Sequence, residues 1–249
     1  MAAIGRSQKR KNKVATICMI FFFTVLAILI IIPVYAIFIA SFKPGNELLQ
    51  YGLNLNLDWA KMTLDNYILL FTGKHDYWIW FGNSLFLTVI TVVLTLLVSS
   101  FVAYGFAAYD FKGKNFFFLL VLIILSIPFE VIMLPLYKQM SEWGLMDNYA
   151  AVVMPFLAHA STIFFFRQYL LSTPKSLIEA GRIDGCTEYG IFFRLIVPIM
   201  KPAFSAMAIL NGMNAWNNYM WPLLVVRSSE KYTLTIGLNT CLLYTSPSP

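Results

Sequence analysis

Charged side chains are scarce in this 249-residue chain, 12% of the total against about a quarter in an ordinary soluble domain. A water-soluble globule needs a charged exterior, so this shortage, with 59% hydrophobic residues, excludes that class and points to lipid. Histidine is scarcer still, with only His75 and His159. Two isolated imidazoles make no metal site, and a lone His inside an apolar run reads as a hydrogen-bonded packing residue. Cysteine occurs as Cys18, Cys186 and Cys241, an odd count without metal-ligand spacing. Neither a disulfide framework nor a zinc centre follows, which leaves buried or incidental thiols. The apolar runs hold no paired carboxylates, so a membrane enzyme would lack its convergent groups.

What the chain does contain is apolar runs punctuated by short polar stretches. Arg6, Lys9, Arg10, Lys11 and Lys13 make a basic N-terminus over 1–13 that alone would suit nucleic acid or a targeting segment. The charge-free run Val14 to Phe42 decides against both. It exceeds the about 20 residues a spanning helix needs and the about 7 to 15 of a signal-peptide core. Pro33 interrupts it at a possible kink. Residues 43–76 read as a loop with a short amphipathic helix around Leu64 to Leu70. Further spans are expected at 79–107, 115–136, 148–166 and 202–226, with Trp78 and Trp80 as interfacial anchors of the second. Glu130, bracketed by Pro128 and Pro135, reads either as a functional intramembrane carboxylate or as a helix end facing water. The expected fold is an all-α polytopic membrane protein. A cytoplasmic N-terminus puts 12 of the 18 Lys and Arg into segments 1–13, 110–114 and 167–201, in accord with the positive-inside rule.

Segment 167–201 then holds a polar, Gly-broken stretch, Glu179-Ala180-Gly181-Arg182-Ile183-Asp184-Gly185. Thr173-Pro174 offers an N-cap and a first-turn proline. A helix is expected from Pro174 to Asp184, ended by Gly185 at the left-handed position, with Thr187 capping a second helix toward Pro198. Leu177, Ala180, Gly181 and Asp184 share one face, small enough for another protein to approach, and Glu179 can pair with Arg182 or with a partner. A solvated inter-helix loop explains the same residues.

The stretch resembles the EAA loop in permease subunits of ATP-binding-cassette importers: Glu179-Ala180-Gly181, Asp184-Gly185 and Val197-Pro198 match its pattern, with Gly181 where the family usually has Ala and Cys186 where Ala is common. Asn83-Ser84-Leu85, Ile127-Pro128, Pro135-Leu136-Tyr137, Gly144-Leu145, Phe166-Arg167-Gln168, Pro174-Lys175, Trp216-Asn217 and Trp221-Pro222-Leu223 look like its maltose-type, carbohydrate-uptake branch. The resemblance covers about Val14 to Leu238 and implies a type I importer bundle of six spans, of which five are present here and the sixth is missing.

It further implies a subunit of the bacterial inner membrane that carries a sugar or oligosaccharide delivered by an extracytoplasmic binding protein. The subunit is not itself an enzyme and works beside a second homologous permease subunit and a separate ATPase dimer. It needs no cofactor, since ATP and magnesium sit on that ATPase. Glu179, Ala180, Gly181, Asp184 and Gly185 would receive the ATPase. Trp216, Asn217 and Tyr219 are substrate-path candidates, because aromatic faces and amides suit sugar rings, although Trp and Tyr also anchor at interfaces. Alternatives are a permease for another polar solute such as glycerol phosphate, or an ion-coupled secondary transporter; the latter usually shows internal repeats, and none is visible here. Residues 241–249 resemble sequencing read-through rather than native chain, and no metal or nucleic acid is expected.

Overall fold

Backbone groups in lipid must be satisfied within the protein, which restricts spanning segments to helices and closed barrels. The computed structural model describes backbone for residues 2–45, 58–59, 61–72 and 76–245, all helix and connection without a strand. Outside the described residues fall His75, much of the 43–76 loop, and 246–249 of the expected foreign tail; the backbone of 241–245 is helical. The chain divides into two compact units, Met1–His75 and Asp76–Pro249.

In the first unit, helix α1 (Ala2–Ala40) runs on through Pro33, and its stretch Ala15–Ala40 is long and apolar enough to cross a membrane. The short α2 (Asp65–Thr72) matches the expected amphipathic turn. It is tied to the end of α1 by side chains: Asn66 Nδ2 donates to the carbonyls of Ser41 (2.9 Å) and Lys43 (2.8 Å), and the Ser41 and Tyr67 hydroxyls bond at 2.7 Å.

The second unit is organised on α3 (Tyr77–Ala108), 32 residues or about 48 Å at 1.5 Å per residue. Its buried residues Trp80, Ser84, Leu87, Thr91, Thr95, Ser99, Ala103 and Tyr104 recur at helical spacing, and the small hydroxyl side chains among them let neighbouring helices approach closely. Leu85, Phe86, Val89 and Val93 face outward, as lipid contact requires. Trp78 is exposed, but Trp80 is no interfacial anchor. Its indole is buried, donates to Ser229 O at 3.0 Å, and lies so close to Gly237 that any Cβ there would overlap the ring.

The remaining spans differ from expectation, because each is broken. Helices α4 (Lys114–Leu125) and α5 (Phe129–Glu142) meet at 103° across Ser126-Ile127-Pro128, where Pro128 itself is extended and a proline disfavours helical conformation in the residue before it. Glu130 lies exposed in the first turn of α5, at that bend. Then α6 (Tyr149–Val153) passes through a 3₁₀ turn, Met154–Phe156, and turns by 41° into α7 (Ala160–Leu171). The polar corner follows as α8 (Ser176–Ile183) and α9 (Glu188–Ile191), the latter continuing through a π turn, Phe192–Ile196, into α10 (Val197–Ile199). Pro198 has no N–H to offer the carbonyl four residues back, and the π turn is where the ladder changes register. A 77° bend leads to α11 (Lys201–Trp216), and the run expected as one span to Val226 stops at Trp216 and restarts as α12 (Met220–Val225), before α13 (Leu234–Thr245).

Two of these breaks are repaired by side chains from elsewhere. Pro155 leaves the Ala151 carbonyl without its helical donor, and the fully buried Trp221 indole donates to it at 2.9 Å. At the break before α12, the Asn218 carbonyl accepts from Thr235 Oγ1 at 3.2 Å. Thr95 Oγ1 takes the Phe156 carbonyl at 2.8 Å. The freed backbone groups of the kinked spans are thus answered by neighbouring helices.

Candidate functional site

Where α3, α11 and the two breaks converge, the second unit encloses a cavity of about 270 Å³. Ser84, Thr91 and Thr95 line it from α3, Asn211 and Asn214 from α11, and Asn218 from the break after α11; His159 and Thr233 add polar atoms, and Leu87, Phe129, Val152, Phe156 and Pro222 add apolar wall. Its polar lining is therefore hydroxyls, amides and one imidazole, with no Lys, Arg, Asp or Glu among the described lining residues. Asn211 is buried and fixed by donating to Met207 O (2.9 Å) and Thr162 Oγ1 (3.1 Å). His159 Nδ1 bonds Ser161 Oγ at 2.8 Å, the hydrogen-bonded role expected of it, now on a cavity wall.

The substrate-path candidates flank this wall instead of lining it. Trp216 packs edge-on against Phe81, with centroids 5.7 Å apart, and Asn217 turns its amide back to Met213 O at 2.8 Å, capping α11. Tyr219 opens the turn into α12. Their neighbours Asn214, on α11, and Asn218, in the break after it, line the cavity with Asn211 instead. The Asn residues at three- and four-residue steps are the signal for this lining that the sequence itself carries.

At the Tyr77 end of α3, two loops are clamped. Asp147, at φ 58°, accepts from Arg227 N (2.9 Å), Ser228 N (3.0 Å), Ser228 Oγ (2.6 Å) and Lys231 Nζ (2.8 Å). Lys231 foremost, then the Ser228 and Arg227 donors, hold its carboxyl well below the usual carboxylate range. Asn83 donates to the Glu230 and Tyr232 carbonyls and accepts from the Tyr149 hydroxyl, so the Asn83-Ser84-Leu85 motif is a fastener for the same loop.

At the other end lies the polar corner. Gly185, at φ 75°, closes a Schellman turn: Cys186 N donates to Gly181 O (3.0 Å) and Gly185 N to Arg182 O (3.1 Å). Thr187 caps α9 through Gly190 N at 3.1 Å, as expected. Thr173 caps nothing. Its hydroxyl reaches back to Tyr169 O, and α8 begins at Ser176. The expected common face also splits. Leu177, Ala180 and Asp184 are exposed, while Gly181 is buried against the chain's own α9 rod, where a Cβ would meet Ile191 Cγ1 and Leu195 Cδ1 at 3.0 Å. Arg182 pairs with Glu188 (Nε to Oε1, 2.7 Å), not with Glu179, whose carboxylate is exposed. Ile183 and Tyr189 stand 85% and 72% exposed beside it, an apolar pair on a polar corner. Cys18 and Cys186 are exposed as well, which leaves the incidental rather than the buried alternative for these two thiols. Among the described residues, no cluster of His, Cys, Asp and Glu could hold a metal.

The family model described as binding-protein-dependent transport system inner membrane component matches residues 96–240. The chain is 52% identical over 220 residues to the arabinooligosaccharides transport system permease protein AraQ of Halalkalibacterium halodurans, covering 88% of this chain and 79% of that one. AraQ of Bacillus subtilis is 50% identical over 226 residues (91% and 80%), and the lactose transport system permease protein LacG of Rhizobium radiobacter 35% over 180 (72% and 66%). A solved bacterial ABC transporter involved in import of the acidic polysaccharide alginate shares the fold, with a TM-score of 0.83 at 24% identity over 96% of this chain and 84% of that one. With its broken helices and polar corner matched over this length, the chain belongs to the binding-protein-dependent transport system inner membrane components, the permease subunits of ATP-binding-cassette importers.

Proposed function

We propose that this permease carries a neutral oligosaccharide, delivered by an extracytoplasmic binding protein, across the bacterial inner membrane at the expense of ATP hydrolysed by a separate ATPase dimer. The observation that carries the reading is the cavity lined by Ser, Thr and Asn without a charged side chain. Hydroxyls and amides match the donor and acceptor pattern of sugars. A phosphate ester, the cargo named for relatives such as the sn-glycerol-3-phosphate permease UgpE of Brucella suis, 29% identical, would call for Arg or Lys there. The AraQ relatives name arabino-oligosaccharides, and that class is our choice of cargo. Asn211, Asn214 and Asn218 would line the path, with Trp216, Asn217 and Tyr219 at its rim.

In this reading each bent helix pair crosses as one broken span beside a second, homologous permease subunit. The N-terminus lies in the cytoplasm, so the corner does too. Glu179, Ala180, Ile183 and Asp184 present the surface on which the ATPase sits, and Gly181 and Gly185 shape it. ATP binding to that partner must favour one state of the permease differentially to move it.

The chain reconstituted with its partner subunits in proteoliposomes should accumulate labelled arabinotriose only with ATP, and sn-glycerol 3-phosphate not at all. Uptake sustained by an ion gradient without ATP, or preference for the phosphate ester, would overturn the reading.

A further inference from the structure

One carboxylate joins the corner to the long helix. Glu188, at the start of α9, receives Arg182 Nε at 2.7 Å on Oε1, and on Oε2 the Tyr109 hydroxyl at 2.6 Å, the Tyr104 hydroxyl at 3.1 Å and Arg182 Nη2 at 3.4 Å. Arg182 belongs to α8, Tyr104 to α3, and Tyr109 to the residue that ends α3. The Arg182 guanidinium also lies 5.5 Å from the Tyr109 ring centre. The two consecutive corner helices and the distant end of α3 therefore meet at two oxygens. Charge-assisted bonds of this kind are roughly twice as strong as neutral ones, and their geometry is directional.

The packing beneath makes the joint stiff. Phe192 stacks on Phe101 at 4.4 Å and meets Tyr104 at 5.4 Å, so the rod after Glu188 is seated on α3. Gly181 brings α8 against that same rod. Helix α3 carries Ser84 and Thr91 in its other half, and Thr95 just past its middle, to the cavity. A shift of α8 has a direct polar route to the helix that walls the cavity, shorter than the covalent path through residues 189–211.

We propose that the Glu188 carboxylate, held at once by Arg182, Tyr104 and Tyr109, is the joint through which movement of α8 is passed to α3, a positioning role separate from docking the ATPase. The proposal rests on the reading of α8 as the element on which the ATPase acts. Glu188 is not among the residues that line the cavity. It would transmit displacement because its partners sit on different helices, and links of this sort are demonstrated only by coupling measurements.

The test uses the assembled importer in proteoliposomes and three readouts: ATPase retained on purification, ATP hydrolysed, and arabinotriose moved per ATP. Glu188→Gln, and separately Tyr104→Phe with Tyr109→Phe, should retain the ATPase and its hydrolysis while cargo moved per ATP falls about tenfold, within the range of ordinary allosteric couplings. A merely structural role would lower all three readouts together, and that result, or an unchanged ratio, would overturn the joint. If Glu188→Gln fails to assemble, the tyrosine pair, which keeps the Arg182–Glu188 contact, decides alone. Glu179→Lys with Asp184→Lys should instead lose the ATPase. If that variant keeps ATPase and ratio, the docking reading fails; if Glu188→Gln loses the ATPase while the tyrosine pair keeps the parent ratio, the joint fails and docking stands.

Discussion

Gly185 shows what one residue contributes here. A side chain at φ 75° costs about 1–2 kcal/mol, and Asn is the substitute that tolerates this region best. Gly185→Ala should therefore lower the unfolding midpoint of the detergent-solubilised protein, and Gly185→Asn should recover part of the loss. The sequence made this position legible, since Asp-Gly after a short helix has few other uses. Gly181 was legible only as a small residue. In isolation its helix would gain from Ala by about 1 kcal/mol. The fold opposes that gain, because Ile191 and Leu195 occupy the space, and such crowding depends on a rod folded back from ten residues later. The pairing of Arg182 with Glu188, six positions on, escaped for the same reason: helical spacing points to Glu179, and the Schellman turn points to Glu188.

Among elements, the clamp at Asp147 fixes two loops to each other, and its pH dependence has a definite sign. Its carboxyl is held below the ordinary aspartate value, so the charged form is the one the folded state favours. The contribution is complete above the unfolded value near about 4 and fades as pH falls through the lower folded value. Asp147→Asn should cost about 1.5–3 kcal/mol, the range for hydrogen bonds to charged groups. The gap between parent and variant unfolding midpoints should stay level from pH 5 to 8 and narrow below pH 4; a gap that widens toward acid would contradict the clamp. The run expected at 79–107 lies within α3, whereas α1 begins well before the expected 14–42, and hydropathy averaged across the breaks in the other runs. The prolines at 128, 155 and 222 were visible, but the donors at two of the breaks were not, because Trp221, which answers Ala151 O, and Thr235, which answers Asn218 O, lie too far along the chain for spacing to reveal.

At the scale of the whole molecule, orientation is the quantity to test. Cys186 lies exposed just past the corner, so in a Cys18→Ser, Cys241→Ser background it reports the side on which the corner sits. With the chain expressed alone, a membrane-impermeant maleimide should label it in inside-out vesicles and leave it unlabelled in intact spheroplasts; the reverse pattern would invert the proposed topology. The architecture that makes this matter is polar at both ends of α3 and neutral between them. The Asp147 and Asn83 fasteners hold one end, the Glu188 joint the other, and the Ser, Thr and Asn cavity lies along the helix that connects them.

The bond from the Trp221 indole to the Ala151 carbonyl exists because residue 155 has no N–H of its own to give. Replacing Pro155 by a residue with an N–H would bring a second donor to that oxygen, whose two lone pairs would then be shared between backbone and indole. Replacing Trp221 would remove the donor that now answers the carbonyl at the break. Two positions far apart in the chain thus act on one oxygen, and a change at either alters the setting of the other.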